Sequence, residues 1–403
     1  MAEVVVSRRG LDSVRRGHPW IFRSAVVQQS ASRTGSSPET DGSIVNILDE
    51  TGQAVGCGIW DPVSPIAVRV WSLEPAARLD AAMFRARLDR AIEIRRGLFA
   101  DGHTTAYRLV NGEGDRVPAF VVDRYADVAV LRIDGDAARA VSGKLLADIE
   151  APLRAIGVTT LLERTGRRGE ATEVRARFGA LREKVEVKEH GIPFVVDLIR
   201  GQKTGAFLDQ RENRRRIGEL VARRVRASSG KPVRVLNLFS YTGGFSLHAA
   251  LAGGTVTSVD VAMAAHATAQ ESFRLAGVDP RAHTFVTADC FAWLEAAKNR
   301  GDRFDVVISD PPSFAPSEKA KPKGIAAYRS LHRACAEVLA DGATFIAASC
   351  SSHVTAEDFN ATLDDTALGR ADLRLLEQFG PPADHPTLPA FPEGRYLKLV
   401  MLS

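Results

Sequence analysis

A cysteine and an aspartate follow two apolar runs late in the chain, and their side chains could do chemistry together. Cys350 follows the run at 344–349, and Asp310 follows the run at 304–309. Both runs have the length and composition of buried strands, and strand ends in an open α/β sheet face the crevice where ligands bind. A thiol there can act as a nucleophile and a carboxylate as a base. The pair predicts a nucleophile and a base or clamp in one pocket.

The other thiols favour structural roles. Cys57, Cys290 and Cys335 are far apart and form no Cys-x-x-Cys pair, so neither a zinc site nor a disulfide framework is indicated. A reducing, cytoplasmic compartment fits this cysteine usage. His353 lies three residues after Cys350 and could assist the thiol, although a capping or packing histidine is the commoner case.

The residues after Asp310 form a stiff turn. Pro311 and Pro312 fix the backbone and leave carbonyl groups exposed, and Phe314 could stack on a flat base. A strained loop that caps the next helix is the alternative interpretation. The turn resembles the Asp-Pro-Pro-aromatic turn of methyltransferases, which implies that it holds a planar, nitrogen-containing substrate.

The elements that would position these residues alternate from about residue 200 onward. Strand-like and helical runs follow each other at the pitch of βαβ units, which predicts a mostly parallel, doubly wound sheet. The run at 396–402 is expected to be a final edge strand.

A cofactor site is predicted at the start of this region. The turn at 237–245 resembles a Rossmann first turn without the Gly-x-Gly-x-x-Gly pattern that a pyrophosphate needs. Asp260 ends the next strand, where it can bind ribose hydroxyls, and Asp289 could border an adenine ring. A ribose-binding acid without a phosphate loop indicates S-adenosylmethionine (SAM). An ordinary turn and two helix caps are the alternative interpretation.

The first half of the chain has a different pattern. The first 70 or so residues are rich in short strand-like runs, and the Ser/Thr/Gly-rich stretch 30–42 predicts a mobile loop. Further on, we expect a helix at 79–98, strands at 119–123 and 128–132, and a second helix at 137–155. A hairpin is expected at 183–199.

Bulk composition is that of a globular protein. The 403 residues are 45% hydrophobic and 25% charged with a net charge of +4, and no apolar run is long enough to span a membrane. Basic residues cluster at 1–30, 164–184 and 200–224. These clusters could be phosphate-binding surfaces or solvated helix faces, and charge alone does not decide between them.

The sequence as a whole resembles the RlmI-type family of rRNA large-subunit cytosine-5 methyltransferases. The matching blocks are 18–22, 201–211, 239–245, 310–314, 349–351, 384–386 and 392–398, so they span nearly the whole chain. The family often has Lys after the two prolines, where this chain has Ser313, which puts a phosphate or base contact from that position in doubt.

The resemblance implies an α/β fold with three parts: a PUA-like RNA-binding domain at 1–75, an α+β middle domain at 76–182, and a Rossmann-like class I methyltransferase domain with a leading hairpin at 183–403. It implies methylation of C5 of a cytosine in large-subunit rRNA, with Cys350 as the nucleophile that attacks C6 and Asp310 as the base or clamp. Pro311, Pro312 and Phe314 would bind the substrate. The residues that would bind SAM are Lys203, Gly205, Phe207, Phe239, Ser240, Tyr241, Thr242, Gly243, Gly244, Asp260, Asp289 and Asp310.

In the PUA-like domain, the resemblance favours RNA phosphate contacts from four arginines near the start of the chain. Trp20 and Phe22 could contact RNA, but a core role is the more frequent one for such residues. The arginines are Arg8, Arg9, Arg15 and Arg16.

Two other functions remain open. One is methylation of a base nitrogen, in which the residues of the turn at 310–314 carry out catalysis and Cys350 takes no part. The other is an RNA-binding assembly factor that holds SAM without catalysis. The sequence does not identify the modified nucleotide and does not distinguish uracil from cytosine as the target base. It also does not decide whether the chain forms a homodimer.

Overall fold

The computed structural model describes residues 2–30, 42–166 and 172–403. These fall into two compact units, and each consists of several segments of the chain. The first unit comprises Met1–Val187, Asp197–Leu208 and Ala383–Gly394, and the second comprises Lys188–Val196, Asp209–Pro382 and Arg395–Ser403. Most of the loop predicted at 30–42 lies outside the described residues. The division into three domains stays a prediction.

The first unit begins with a six-stranded sheet in the order β2-β6-β5-β4-β1-β3. Strand β4 alternates buried and less buried side chains, and its buried ones include Val45 and Ile47. Ser7 caps the helix α1, which the sequence pattern did not indicate, by accepting a hydrogen bond from the Gly10 amide. The elements are β1 (Ala2–Val6), α1 (Arg8–Arg15), β2 (Trp20–Phe22), β3 (Val26–Ser30), β4 (Ser43–Leu48), β5 (Ala54–Trp60) and β6 (Ile66–Ser72).

A second, five-stranded sheet follows in the order β11-β10-β9-β8-β7. Trp71 of the first sheet packs in one core with Phe84 of α2 and Phe120 of β8. The helix predicted at 137–155 is two helices, because Pro152 cannot donate a backbone hydrogen bond to the preceding turn. The elements are α2 (Ala81–Leu98), β7 (Ala106–Asn111), β8 (Phe120–Tyr125), β9 (Val128–Ile133), α3 (Asp136–Leu145), α4 (Glu150–Ala155), β10 (Thr160–Thr165) and β11 (Glu173–Phe178).

The predicted hairpin at 183–199 is confirmed as the two-stranded sheet of β12 (Lys184–Glu189) and β13 (Ile192–Asp197). Its two-residue turn has positive φ at both His190 and Gly191, which matches the right-handed twist of paired strands.

The second unit contains a seven-stranded sheet in the order β16-β15-β14-β17-β18-β20-β19. The predicted alternation of strands and helices is confirmed. The elements are α5 (Arg211–Ala227), β14 (Arg234–Leu238), α6 (Gly244–Leu251), β15 (Thr255–Asp260), α7 (Met263–Leu275), β16 (Thr284–Thr287), α8 (Cys290–Arg300), β17 (Phe304–Ser309), α9 (Lys321–Ala336), β18 (Leu339–Ser349), α10 (Ala356–Asn360), α11 (Asp365–Leu368), β19 (Leu375–Phe379) and β20 (Lys398–Leu402).

Helices cover both faces of this sheet, because successive strand residues point to opposite sides. Leu236 and Val307 pack in one core with residues of α8 and α9. Val235 and Ile308 pack in another core with residues of α5 and α6.

The prediction of a final edge strand is wrong. The last strand, β20, pairs antiparallel with β18 on one side and with β19 on the other. The edge strand on this side of the sheet is β19, which the sequence pattern did not indicate. In the described part of the chain, no helix is long and apolar enough to span a membrane.

Candidate active site

Five neighbouring parallel strands end at the same edge of the seven-stranded sheet, and a predicted site residue follows each one. Asp289 follows β16, Asp260 ends β15, the turn at 239–243 follows β14, Asp310 follows β17 and Cys350 follows β18. The chain leaves β14 toward β15 on one side, and β17 lies on the other side. Such a switch point opens a crevice at the carboxyl ends of the strands.

The turn after β14 has an unusual backbone. Phe239, Tyr241 and Gly243 have φ values of +55°, +47° and +72°, and only glycine adopts this region without strain. A Cβ at Gly243 would lie 2.9 Å from the Cβ of Ala269. Ser240 is buried, and Thr242 and Gly244 complete the turn with partly exposed positions. The close packing behind the turn directs its backbone toward the crevice.

Asp260 holds this turn from the neighbouring strand. One carboxylate oxygen accepts a hydrogen bond from the Tyr241 amide and the other from the Ala262 amide, both at 2.8 Å. Each oxygen can accept a second hydrogen bond, and the side chain is partly exposed. A fixed carboxylate with spare acceptor capacity fits the two hydroxyl groups of a ribose, so the donor set suits SAM.

Asp289 has the capping role that was the alternative interpretation. It is the N-cap of α8, and its carboxylate accepts a hydrogen bond from the Ala292 amide at 3.0 Å. The residue is exposed at the edge of the sheet, and its contact with an adenine ring stays a prediction.

Three of the predicted cofactor residues lie in the first unit. The ammonium group of Lys203 lies 4.4 Å from the ring centroid of Phe207, a cation–π contact. Gly205 has a φ of +146°. Between them, Thr204 donates a hydrogen bond to the buried carboxylate of Asp123. Their role in cofactor binding stays a prediction.

A residue outside the predicted set holds Asp310. The side-chain amide of Gln210 donates a hydrogen bond of 2.9 Å to the Asp310 carboxylate. Pro311 is buried and Pro312 is exposed. The Ser313 and Ser351 hydroxyl groups lie 2.7 Å apart and share a hydrogen bond, so the Asp310 and Cys350 turns are directly joined.

Phe314 is partly buried on the side of α9. Its ring centroid lies 4.9 Å from that of Tyr328 at an interplanar angle of 56°. The Tyr328 hydroxyl lies within hydrogen-bond distance of the hydroxyl groups of Ser349 and Ser351, at 2.9 and 3.3 Å. Tyr328 therefore anchors both residues that flank Cys350.

Cys350 differs from the other cysteines in its exposure. It is partly exposed, whereas Cys57, Cys290 and Cys335 are buried, as their predicted structural roles require. Burial raises the pKa of Cys290 to about 12 and also raises the pKa of the other two buried thiols. Of the four, Cys350 is the thiol that a substrate can reach.

Lys398 is a second residue that sequence reasoning missed. The first residue of β20 lies opposite Ser349 in the strand pairing, and its ammonium group donates to the carbonyl oxygens of Ser351 and Val354 at 2.6 and 2.7 Å. His353 instead lies 3.4 Å from Glu318 and forms an ion pair with it when protonated.

The missed residues had weak sequence signals. Gln210 and Lys398 belong to the blocks 201–211 and 392–398 that carry the family resemblance, but their roles depend on contacts far away in the chain. Nothing in the sequence singled out Tyr328 from the rest of α9.

The first unit carries the residues that were predicted to contact RNA. The four arginines at positions 8, 9, 15 and 16 are exposed, and their phosphate contacts stay a prediction. The Trp20 indole donates a hydrogen bond to Glu113 at 2.8 Å. The core role expected for Phe22 is wrong, because 42% of this residue is exposed.

Two family models match the chain. The model of an S-adenosylmethionine-dependent methyltransferase matches residues 151–398, and the model of a PUA-like domain matches residues 4–73. Together with the observed sheets, these matches confirm the predicted fold class.

Curated relatives match over nearly the full length. A ribosomal RNA large subunit methyltransferase from Deinococcus radiodurans is 37% identical, covering 98% of this chain and 96% of the relative. A ribosomal RNA large subunit methyltransferase I from Escherichia coli is 31% identical, covering 98% and 97%. The solved structure of a candidate SAM-dependent methyltransferase from Streptococcus mutans has a TM-score of 0.83 at 23% identity and covers 100% of both chains. A second solved structure, of a candidate methyltransferase with SAH bound, matches with the same values.

Proposed function

This chain belongs to the RlmI-type family of SAM-dependent methyltransferases, and on that premise we propose that it methylates C5 of a cytosine in large-subunit rRNA through a Cys350 adduct at C6. One observation carries the proposal. A partly exposed thiol and a held carboxylate follow adjacent strands, and a hydrogen bond between Ser313 and Ser351 joins their turns. The names of the curated relatives support ribosomal RNA as the substrate.

The residues at the carboxyl edge are suited to hold SAM. The turn at 239–244 would bind it through the backbone, Asp260 through the ribose, and Asp289 beside the adenine ring. For Lys203, Gly205 and Phe207, cofactor binding is proposed from the family resemblance alone. When bound, SAM supplies a methyl group on a positively charged sulfur.

The chemistry requires a nucleophile because C5 of cytosine is not reactive enough by itself. The Cys350 thiolate adds to C6, and the electron pair of the 5,6 double bond becomes available at C5 for bond formation to the methyl carbon. The bond between that carbon and the sulfur of SAM would break, and its electron pair would leave with the sulfur. The Asp310 carboxylate then removes the proton from C5. The electrons of that C–H bond restore the double bond, and the Cys350 thiolate leaves.

Binding of the target base is assigned to the turn after Asp310. Pro311 and Pro312 would shape the wall of the pocket, and Phe314 would contact the face of a base that has left its stack. Since Phe314 packs against Tyr328, its orientation is supported from behind.

The test is methyl transfer from labelled SAM to unmodified large-subunit rRNA, followed by nucleoside analysis. We expect 5-methylcytidine with the wild type and none with Cys350→Ala. The matched control is Ser352→Ala, an exposed neighbour, which should keep wild-type activity. SAM binding by Cys350→Ala, measured by calorimetry, should also equal that of the wild type.

Three results would contradict the proposal in distinct ways. Label on a base nitrogen, or transfer that survives the loss of Cys350, supports the nitrogen methyltransferase. Label in 5-methyluridine keeps the thiolate mechanism but changes the base. RNA binding without any transfer supports the assembly factor.

A further inference from the structure

Lys398 occupies a position where a lysine is seldom found. Only 9% of its surface is exposed, although lysine is almost never buried without partners. The residue begins β20 directly opposite Ser349, the last residue of β18. A charged side chain is therefore placed at the strand end from which Cys350 follows.

Two contacts fix the Lys398 ammonium group. It donates to the Ser351 carbonyl at 2.6 Å and to the Val354 carbonyl at 2.7 Å. These carbonyls belong to the turn that begins at Cys350, so the lysine holds that turn in one conformation. Neutral carbonyls compensate the buried charge only in part.

The electrostatics couple this lysine to the thiol. Burial lowers the pKa of Lys398 to about 8, while the negative charge of Cys350 and that of Asp358 raise it. A thiolate at Cys350 and an ammonium group at Lys398 therefore stabilise each other.

Other titratable groups lie around the pair, and one is Asp310, whose carboxylate accepts a hydrogen bond from Gln210. Tyr328 on α9 has a pKa raised mainly by burial, and the Cys350 charge raises it further, so it is neutral. Asp358 on α10 forms an ion pair with Lys321 at 2.7 Å. His353 lies beside Glu318. Lys398 is thus the cation in these contacts that can respond to the ionisation of Cys350.

We infer that Lys398 is a positioning residue for the proposed nucleophile: its ammonium group fixes the Cys350 turn and stabilises the thiolate form. This inference rests on the proposed function. A cation beside a cysteine favours the thiolate, which is the attacking species. The same cation assists the last step, since the leaving group is again the thiolate.

The experiment measures the ionisation of Cys350 directly, without SAM or RNA. Iodoacetamide alkylates the folded protein across a pH series, and mass spectrometry of the peptide that contains Cys350 gives the rate at each pH. In Lys398→Met, we expect the midpoint of the rate profile to rise by about one pH unit or more, because an opposite charge has been removed. Lys398→Arg keeps the charge and should keep the midpoint of the wild type.

Lys323→Met is the matched control, because Lys323 is an exposed lysine of the same unit. Its midpoint should equal that of the wild type. An unchanged midpoint in folded Lys398→Met would overturn the inference. If Lys398→Met does not fold, a midpoint in Lys398→Arg that rises by a full unit would also overturn it, since the charge is still present.

Failure of this inference and failure of the proposed function give different results. If Lys398→Met leaves the midpoint unchanged while Cys350→Ala abolishes 5-methylcytidine, the thiolate mechanism stands without Lys398. If Lys398→Met shifts the midpoint but Cys350→Ala still transfers methyl groups, the lysine sets the ionisation of a thiol that does not act as the nucleophile.

Discussion

Gln210 determines how the carboxylate of Asp310 is held. Its amide oxygen accepts a hydrogen bond of 2.6 Å from the Asn213 side chain, which leaves its NH2 group to donate to Asp310. Gln210 and Asn213 are both buried. One carboxylate oxygen of Asp310 is therefore oriented by a rigid pair of amides.

We expect Gln210→Ala to lower the rate constant for methyl transfer about tenfold, because a hydrogen bond to a charged group is lost at the proposed base. The KM for RNA should change less than kcat, since Gln210 acts through Asp310. The measurement is steady-state kinetics with labelled SAM. Gln378→Ala, at an exposed position of β19, is the control. Equal kcat for Gln210→Ala and the wild type would show that the orientation of Asp310 is not limiting.

At the scale of single residues, the sequence could predict those site residues that directly follow strands. Asp310 and Cys350 each follow an apolar run, Asp260 ends a strand-like run, and parallel strands bring such positions to one edge. Gln210 precedes its partner Asp310 by 100 residues, and Lys398 follows Ser351 by 47. No local pattern shows which way such distant side chains point.

At the scale of elements, the turn after β14 depends on its neighbouring strand. The Ser240 amide donates to the Val259 carbonyl at 3.1 Å, and the Tyr241 amide donates to Asp260. Behind the turn, Asn237 donates to Ser246 at 2.8 Å, so β14 is also tied to α6. Backbone strain of this kind persists only where surrounding contacts enforce it.

The position of β20 has a consequence for stability. All five of its residues are buried, as a strand between two others requires. We expect Leu399→Ala to lower the free energy of unfolding by about 2–5 kcal/mol, because it leaves a cavity beside β18. Leu375→Ala in the edge strand should cost less than about 0.5 kcal/mol, since Leu375 is 55% exposed. Urea unfolding measures both, and equal losses would contradict the observed strand order.

Two elements that the sequence patterns missed, α5 and β19, each have a physical explanation. In α5, Arg211 and Arg214 are buried together with Ile217. A search for hydrophobic residues at helical spacing therefore misses this helix, because its buried face contains charged residues. The exposed residues of β19 show no apolar alternation. The central parallel strands β14 and β17, in contrast, are buried on both faces and appear as largely apolar runs.

At the scale of the whole molecule, much of the clustered positive charge serves internal contacts. Arg214 pairs with the buried Glu189, and Arg175 and Arg177 both pair with Glu163. The clusters at 164–184 and 200–224 are thus partly neutralised. The exposed arginines of the first 30 residues remain the better candidates for phosphate contacts, which is the prediction made from the resemblance.

Two buried histidines give the molecule a pH-dependent stability. Burial lowers the pKa of His248 to about 3 and that of His332 to about 4. Both are neutral in the native state at pH values where the unfolded chain, with an ordinary histidine pKa of about 6.5, already binds a proton. Their stabilising contribution is complete above about pH 6.5 and is lost as the pH falls toward their native pKa values.

We therefore expect the free energy of unfolding to fall between about pH 6.5 and pH 4, by up to about 1.4 kcal/mol per pH unit for each histidine. His332→Gln removes one of these groups and should reduce the slope by that amount, even if it lowers stability at neutral pH. His103→Gln, at an exposed position, should leave the slope unchanged. Urea unfolding at a series of pH values gives the slopes. A His332→Gln slope equal to that of the wild type would mean that His332 takes up its proton equally in the native and unfolded states, contrary to its complete burial.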